Sequence, residues 1–461
     1  MKHPQIHIEE VLSDLSGADA TDSFQQWALP SDLDLRNIYK ATVLSELCFS
    51  YFEKPSQGVL FCGFGESRQF PLTAEDSISD LHYEVQRVLS EGLVGSVNLR
   101  FDPIVLGGFR FDRSQDPDAV WADFGRGRLI LPELLFSRRQ NPTDSDVVES
   151  FLTVAPGVKP AAAIGIIKSL YHDEELRTQS EASLVVESDI DETIWADSIN
   201  NIVTEAKQGK FSKVVLATRR KVTGSFKVSN VLNRLRDVYP ECFIFCFPST
   251  NKTGETKLFL GATPELLVSQ EEDQIKSLAL AGSIARGDDR ATDSENALEL
   301  ARSNKDIGEH DAVIKAISER LRPLTSAFRI STTRLRRLSN IQHLSTEIEA
   351  ESDGEHGLLD LVNTLHPTPA VCGTPREAAQ ATIRRNEQFD RGWYAGPVGW
   401  LSASGNGEFA VGLRSAVVGS NAAWLFAGNG IVEKSSVGTE LREVKLKFQP
   451  LMRALSGELN E

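Results

Sequence analysis

The dipeptide Asn406-Gly407, set in SGNGEF between apolar runs, constrains the fold more than any other feature of the chain. Asn-Gly accepts the positive backbone angles of a two-residue hairpin turn, so the flanking segments are expected to be antiparallel strands. A run at 408–418 and another at 422–432 also read as strands. The same pattern recurs elsewhere. Short strand-like runs alternate with polar turns over 36–70 and fill 242–287 and 327–347, RLILPELLFSRR lies earlier, and VNLRFDPIVLGGFRFD reads as strand, turn and strand centred on Gly107-Gly108. Helical patterns separate these groups at 8–15, 77–93, 194–208, 227–239, about 292–321, 356–365 and 375–386, and a last helix is expected from near Thr439. Many strands at hairpin spacing together with helices indicate an α+β fold, not a parallel doubly wound sheet.

A net charge of −16 argues against nucleic acid as a partner, because phosphate binding needs a basic field. Any anionic ligand must be attracted locally. The five cysteines, Cys48, Cys62, Cys242, Cys246 and Cys372, are scattered without a CxxC pair, which fits a reducing compartment. MKHPQIHIEE lacks the basic start and apolar centre of a signal peptide, and no run reaches the roughly 20 apolar residues that cross a bilayer. A cytoplasmic protein without a membrane partner, monomeric or homodimeric, is the expectation. Residues 1–35 are expected to be peripheral. The Asp-, Glu-, Ser- and Thr-rich segments 139–147 and 172–192 read as solvated loops or linkers, and the composition shifts near Glu192.

Several side chains carry chemistry, each with an ordinary structural alternative. Arg414 stands among Val411, Leu413, Ala416 and Val417, where a buried guanidinium needs an anion; at a strand edge it would need none. Glu440, Glu443 and Lys447 share a helix face, and Glu443 with Lys447 also makes an ordinary i,i+4 surface pair. Lys213 opens KVVLA on the face of Val215 and Ala217, which suits either a snorkelling lysine or a general base whose charged form burial disfavours. Glu265, in GATPELL, either caps a turn or is a desolvated, protonated acid. Ala281, Gly282 and Ser283 offer close backbone approach or a tight bend, with no phosphate-loop motif. Asp306, Glu309 and His310 lie on one helix without the HExxH spacing; Glu309 either joins Glu443 around a hard cation such as Mg²⁺ or pairs with Lys305 at the surface. His366 precedes a proline-fixed bend whose apolar wall is Ala370-Val371.

The segments KVVLA, GATPELL, LAGSIARG, KDIGEH, HLSTEIEAE, LHPTPAVCG, RGWYAGPVGW, GEFAVGLRSA, FAGNGIV and ELREVKLK, in this order, resemble the chorismate-utilising enzymes. The likeness spans about 193–455, and within the family it is to the isochorismate synthase branch; before that the match is loose, chiefly through GGFRFD. It implies one large unit, similar to anthranilate synthase component I, with two antiparallel sheets face to face and helices outside. Residues 1–192 are then a variable part of the same fold, and 193–455 the catalytic region. The resemblance also implies an isomerase that converts chorismate to isochorismate with Mg²⁺, feeding menaquinone or siderophore synthesis. Salicylate synthase and the anthranilate or aminodeoxychorismate synthases are the alternatives. By position, Lys213 is the base and Glu265 the acid, while Glu309 and Glu443 bind Mg²⁺. Arg414 and Lys447 hold substrate carboxylates, with Gly282, Ser283, His366, Ala370 and Gly428 around the substrate. Two departures stand out: Thr218 where relatives carry arginine, and Glu347 where proline is frequent.

Overall fold

The hairpin at Asn406-Gly407 forms, with Pro397–Ser402 and Gly407–Val411 paired antiparallel and Leu401 opposite Gly407. It sits in a computed structural model of the chain that describes residues 6–38, 49–96, 99–141, 144–171, 184–249, 256–339 and 341–457. Among the described residues two sheets organise the molecule, one of twelve strands and one of ten. Both take strands from either side of residue 192. Phe49–Lys54 pairs with Phe243–Pro248 in the larger sheet, and Ile104–Phe109 pairs with Pro397–Ser402 in the smaller. The sheets pack through aromatic side chains, as where Phe61 of the larger sheet meets Trp400 of the smaller with ring centroids 4.9 Å apart. Such a pair buries a large apolar area between the sheet faces, while the strands keep their hydrogen bonds within each sheet. The α+β architecture of two antiparallel sheets is the one expected. Gln25–Ala28 is the first strand of the larger sheet, at its rim.

Several boundaries differ from the sequence pattern for identifiable reasons. The run 408–418 is two strands. Gly407–Val411 belongs to the smaller sheet and Ser415–Val418 to the larger, and the chain crosses between them at 412–414. Arg414 sits in the crossing at φ 45°, a left-handed conformation that is uncommon outside glycine. Gly107-Gly108 makes no turn and lies inside Ile104–Phe109. A Cβ on Gly107 would fall 2.0 Å from the Arg128 carbonyl oxygen, and one on Gly108 2.8 Å from the Trp393 ring, so close packing explains the pair. The helical pattern at 292–321 is two helices, Arg290–Arg302 and Asn304–Leu321. Ser303 divides them, its hydroxyl accepting from the Asp306 N–H that opens the second. The segment 139–147 belongs to the paired strands Leu134–Asn141 and Asp144–Val154, and Val185–Ser188 is a further strand; 142–143 and 172–183 lie outside the described residues. So do Cys48 and residues 39–48 of the expected strand alternation. Cys62, Cys242, Cys246 and Cys372 are buried free thiols. No helix among the described residues is long and apolar enough to cross a membrane.

Candidate active site

A cavity of about 340 Å³ opens where the two sheets and three helices meet. Lys213 and Val215 enter it from the strand Lys213–Thr223 of the larger sheet, and 280–284 from the strand Gln274–Ala285 of the smaller. Glu309 comes from the helix Asn304–Leu321, and Glu443 and Lys447 from the helix Val437–Ser456. Glu265, Gly282, Ser283, Ala370, Arg414 and Gly428 also line it. These residues are far apart in sequence, and the sheet-to-sheet crossing at Arg414 is part of what brings them together.

Lys213 is 7 % exposed, and its Nζ lies 2.7 Å from Glu309 Oε1. The expected surface pair of Glu309 with Lys305 is replaced by this internal one. Room for the lysine comes from the neighbouring strand Ala422–Ile431, where Gly430 lies opposite Val215. A Cβ on Gly430 would stand 2.5 Å from Lys213 Cε. Glu265 is 5 % exposed, with its backbone pinned: its carbonyl accepts from Val411 N–H at 2.9 Å and its N–H donates to Thr263 Oγ1 at 3.3 Å. Burial pushes its carboxyl up to about 8, against the weaker opposing pull of Lys213 and Arg414. The cavity therefore holds a proton-bearing carboxyl, able to give a proton to a bound molecule, together with the Lys213 side chain.

Glu309 and Glu443 are instead held in the ionised form. Burial opposes this for Glu309, but the charge and hydrogen bond of Lys213, with Lys447 and Lys305 behind, outweigh it and lower its pKa. Lys447, 2.8 Å from Glu443 Oε1, lowers that carboxyl in the same way. The i,i+4 pair read from the sequence thus exists, but it faces the cavity. Among the described residues no cluster of three or more metal-ligating side chains occurs. Two anionic oxygen donors from separate helices still fit Mg²⁺, which binds through one or two carboxylates and fills its shell with water and substrate oxygens.

The cavity lining also includes the cations Arg414 and Lys447. Arg414 Nη1 is buried with no hydrogen-bond partner among the described residues, an arrangement an anionic ligand would complete. Arg414 Nη2 donates to His343 Nε2 at 3.2 Å, so His343 carries its proton on Nδ1, 2.9 Å from Ser283 Oγ and 3.3 Å from the Gly282 carbonyl. Burial and then the Arg414 charge hold His343 neutral, well below its usual range. Gly282 stands at φ 73° where the strand pairing shifts register between Ala281 and Ser283, so the small-residue segment is a bulge within a strand. Lys447 Nζ donates to the Gly428 carbonyl at 3.0 Å. Glu440, two turns before Lys447, is buried against Asn429.

His366 lies outside this cavity lining. Its Nε2 is 3.1 Å from the Phe111 carbonyl, and its ring stands edge-on to the Phe111 ring. Burial takes its pKa down to about 3. These contacts tie the proline bend to the GGFRFD segment, and His366 is not among the residues that line the cavity. His343, Arg391, Tyr394 and Gly430 line the cavity without having been singled out, although each lies in a segment quoted for the resemblance. For Gly430 the signal was the spacing in GNG. Of the two departures, Glu347 is exposed, and Thr218 lines a separate cleft of about 200 Å³.

The sequence matches the family described as Chorismate binding enzyme over residues 20–456. It is 35% identical over 374 residues to the salicylate biosynthesis isochorismate synthase of Pseudomonas aeruginosa, covering 78% of this chain and 76% of the relative. Isochorismate synthase MenF of Bacillus subtilis is 32% identical over 367 residues, covering 77% of this chain and 75% of the relative. The solved structure of MenF, the menaquinone-specific isochorismate synthase of Escherichia coli, superposes with TM-score 0.77 at 26% identity, covering 97% of this chain and 98% of that one.

Proposed function

The chain belongs to the chorismate-binding enzyme family, and on that premise we propose that it is an isochorismate synthase, an isomerase that moves a hydroxyl around the ring of chorismate. The observation that carries this reading is the pair brought into one cavity, Glu265 with its carboxyl pushed up to about 8 and Lys213 at the start of its strand. Chorismate bears two carboxylates. Arg414, with a free donor, and Lys447 supply positive charge inside a protein of net charge −16. Lys213, in its unprotonated form, takes the proton of a water whose oxygen bonds to C2. The diene electrons shift, and the C4–oxygen bond breaks as Glu265 delivers its proton, so the hydroxyl leaves as water. In this reading Glu309 and Glu443 hold Mg²⁺, which when bound supplies positive charge for a substrate carboxylate. Ser283, whose hydroxyl accepts from His343, keeps its own proton available to a ligand oxygen.

The product serves menaquinone or siderophore synthesis, and the enzyme works in the cytoplasm as a monomer or homodimer. The test is incubation with chorismate and Mg²⁺ followed by chromatography. Substrate and product differ only in the position of one hydroxyl, so a mixture of both is expected from either starting compound. Release of pyruvate in place of that mixture would assign the chain to the salicylate or anthranilate synthases instead.

A further inference from the structure

The cavity exists because two paired segments part. Lys213 and Val214 pair with Thr374 and Gly373, and Val215 N–H still donates to the Cys372 carbonyl at 2.8 Å. One step further the segments separate, and Val215 lines one side of the opening while Ala370 and Val371 line the other. Two carbonyls at the parting, those of Val215 and Val371, are taken up by the guanidinium of Arg391, at 2.7 Å from Nη2 and 2.9 Å from Nη1. The fork is itself held. Arg391 Nε donates to Glu387 Oε2 at 2.8 Å and Nη2 to Glu387 Oε1, which also accepts Ala217 N–H at 2.7 Å from the Lys213 strand. The two side chains are only 3 % and 2 % exposed.

We propose that Arg391, anchored by Glu387, is a positioning residue that sets the gap between the Lys213 strand and the Ala370-Val371 wall, and so aligns the substrate ring with the base. A buried ion pair is a poor stabiliser, since apolar replacements of similar volume are often neutral or better. What an apolar pair cannot do is bridge two carbonyls on opposite walls. A lysine cannot do it either, because its point-like ammonium lacks the planar fork. Misplacement by about 1 Å can cost on the order of 100-fold in rate, so the spacing is worth holding. The rate prediction rests on the isochorismate reading; the geometric one does not.

The experiment compares the unsubstituted protein with Arg391→Lys and with the double variant Arg391→Met, Glu387→Leu. The double variant is expected to melt near the parent temperature. Its turnover of chorismate falls by about 10- to 100-fold, while KM and the affinity for Mg²⁺ stay within about threefold. Arg391→Lys falls between the two. Amide exchange at Val215, whose hydrogen bond lies last before the parting, is expected to quicken in the double variant. Parent-like turnover in a folded double variant, or a loss that only follows the unfolded fraction, would overturn the proposal. So would unchanged exchange at Val215. If the unsubstituted protein itself leaves chorismate unchanged, the functional reading fails, and the exchange measurement still decides the positioning role.

Discussion

Lys213 Nζ and Glu309 Oε1 stand 2.7 Å apart, so the side chain proposed as the base and a carboxylate proposed to hold Mg²⁺ are each other's partner. Neither could occupy this buried place alone at modest cost, because an unpaired charge there would lose its hydration. Their pairing makes the two substitutions at this contact diverge. Glu309→Gln removes an anionic oxygen donor and should abolish measurable Mg²⁺ binding by calorimetry together with activity. Lys213→Gln removes a cation from beside the same carboxylate, so Mg²⁺ should bind at least as tightly while turnover falls by about 100-fold or more. Loss of Mg²⁺ binding in Lys213→Gln, or full activity of Glu309→Gln in the presence of a chelator, would refute this division of roles.

Glu265 gives a pH prediction with two signs to check. Its folded pKa of about 8 lies above the ordinary value of 4.5, so the folded chain keeps a proton that the unfolded chain releases. The stability linked to it is fully present below pH 4.5 and is lost as pH rises through 8. Activity that needs the protonated acid should decline over the same upper limb. Glu265→Gln, neutral at every pH, should lose about 100-fold or more in turnover. Its melting temperature should gain on that of the parent as pH is raised from 5 to 9. Parallel melting curves across that range would show that this carboxyl is not protonated in the fold.

The sequence was most legible where function depends on local pattern and least where it depends on how the sheets meet. Asn406-Gly407 announces its hairpin through turn chemistry alone. The alternation through 408–418 continues across Arg414, and nothing in a period of two reveals that the chain leaves one sheet there and joins the other. Arg414 could be suspected of needing an anion, but its support by His343 is a contact over 71 residues that no window contains. His366 shows another contact that no local window contains. Its prolines fix the bend as expected, yet the ring turns to the Phe111 carbonyl, 255 residues away, and not to the cavity. The ion pair of Lys213 with Glu309 was likewise hidden, because the nearer Lys305 offered an adequate local partner.

Gly430 tests whether the base needs its space. A methyl added there would stand 2.5 Å from Lys213 Cε and 3.2 Å from Nζ, closer than side chains tolerate. The lysine end is flexible and would yield before the backbone does, so Gly430→Ala should fold but displace the amine from Glu309. Turnover is expected to fall about 10- to 100-fold with KM changed far less. A variant with parent-like turnover would mean that the lysine reacts from another position.

Ala370 tests what limits the reaction of a bound ring. It lines the cavity half-buried beside Val371, next to the carbonyl that Arg391 grips. Its methyl offers no hydroxyl to orient a second nucleophile or to engage a ring substituent, so water beside Lys213 is the expected attacker. Eliminating pyruvate would require the bound product to linger with its enolpyruvyl group aligned, and two apolar side chains give that group no polar hold. The unsubstituted protein should therefore form isochorismate with no appreciable salicylate or anthranilate, even with ammonium present. Ala370→Thr places a hydroxyl in the wall, which should slow isochorismate formation and raise pyruvate release above that of the parent. A pyruvate-coupled assay on both proteins, beside chromatography of the aromatic products, measures this. Pyruvate release from the unsubstituted protein at a rate matching chorismate consumption would show that the Ala370-Val371 wall does not stop the reaction at the isomer.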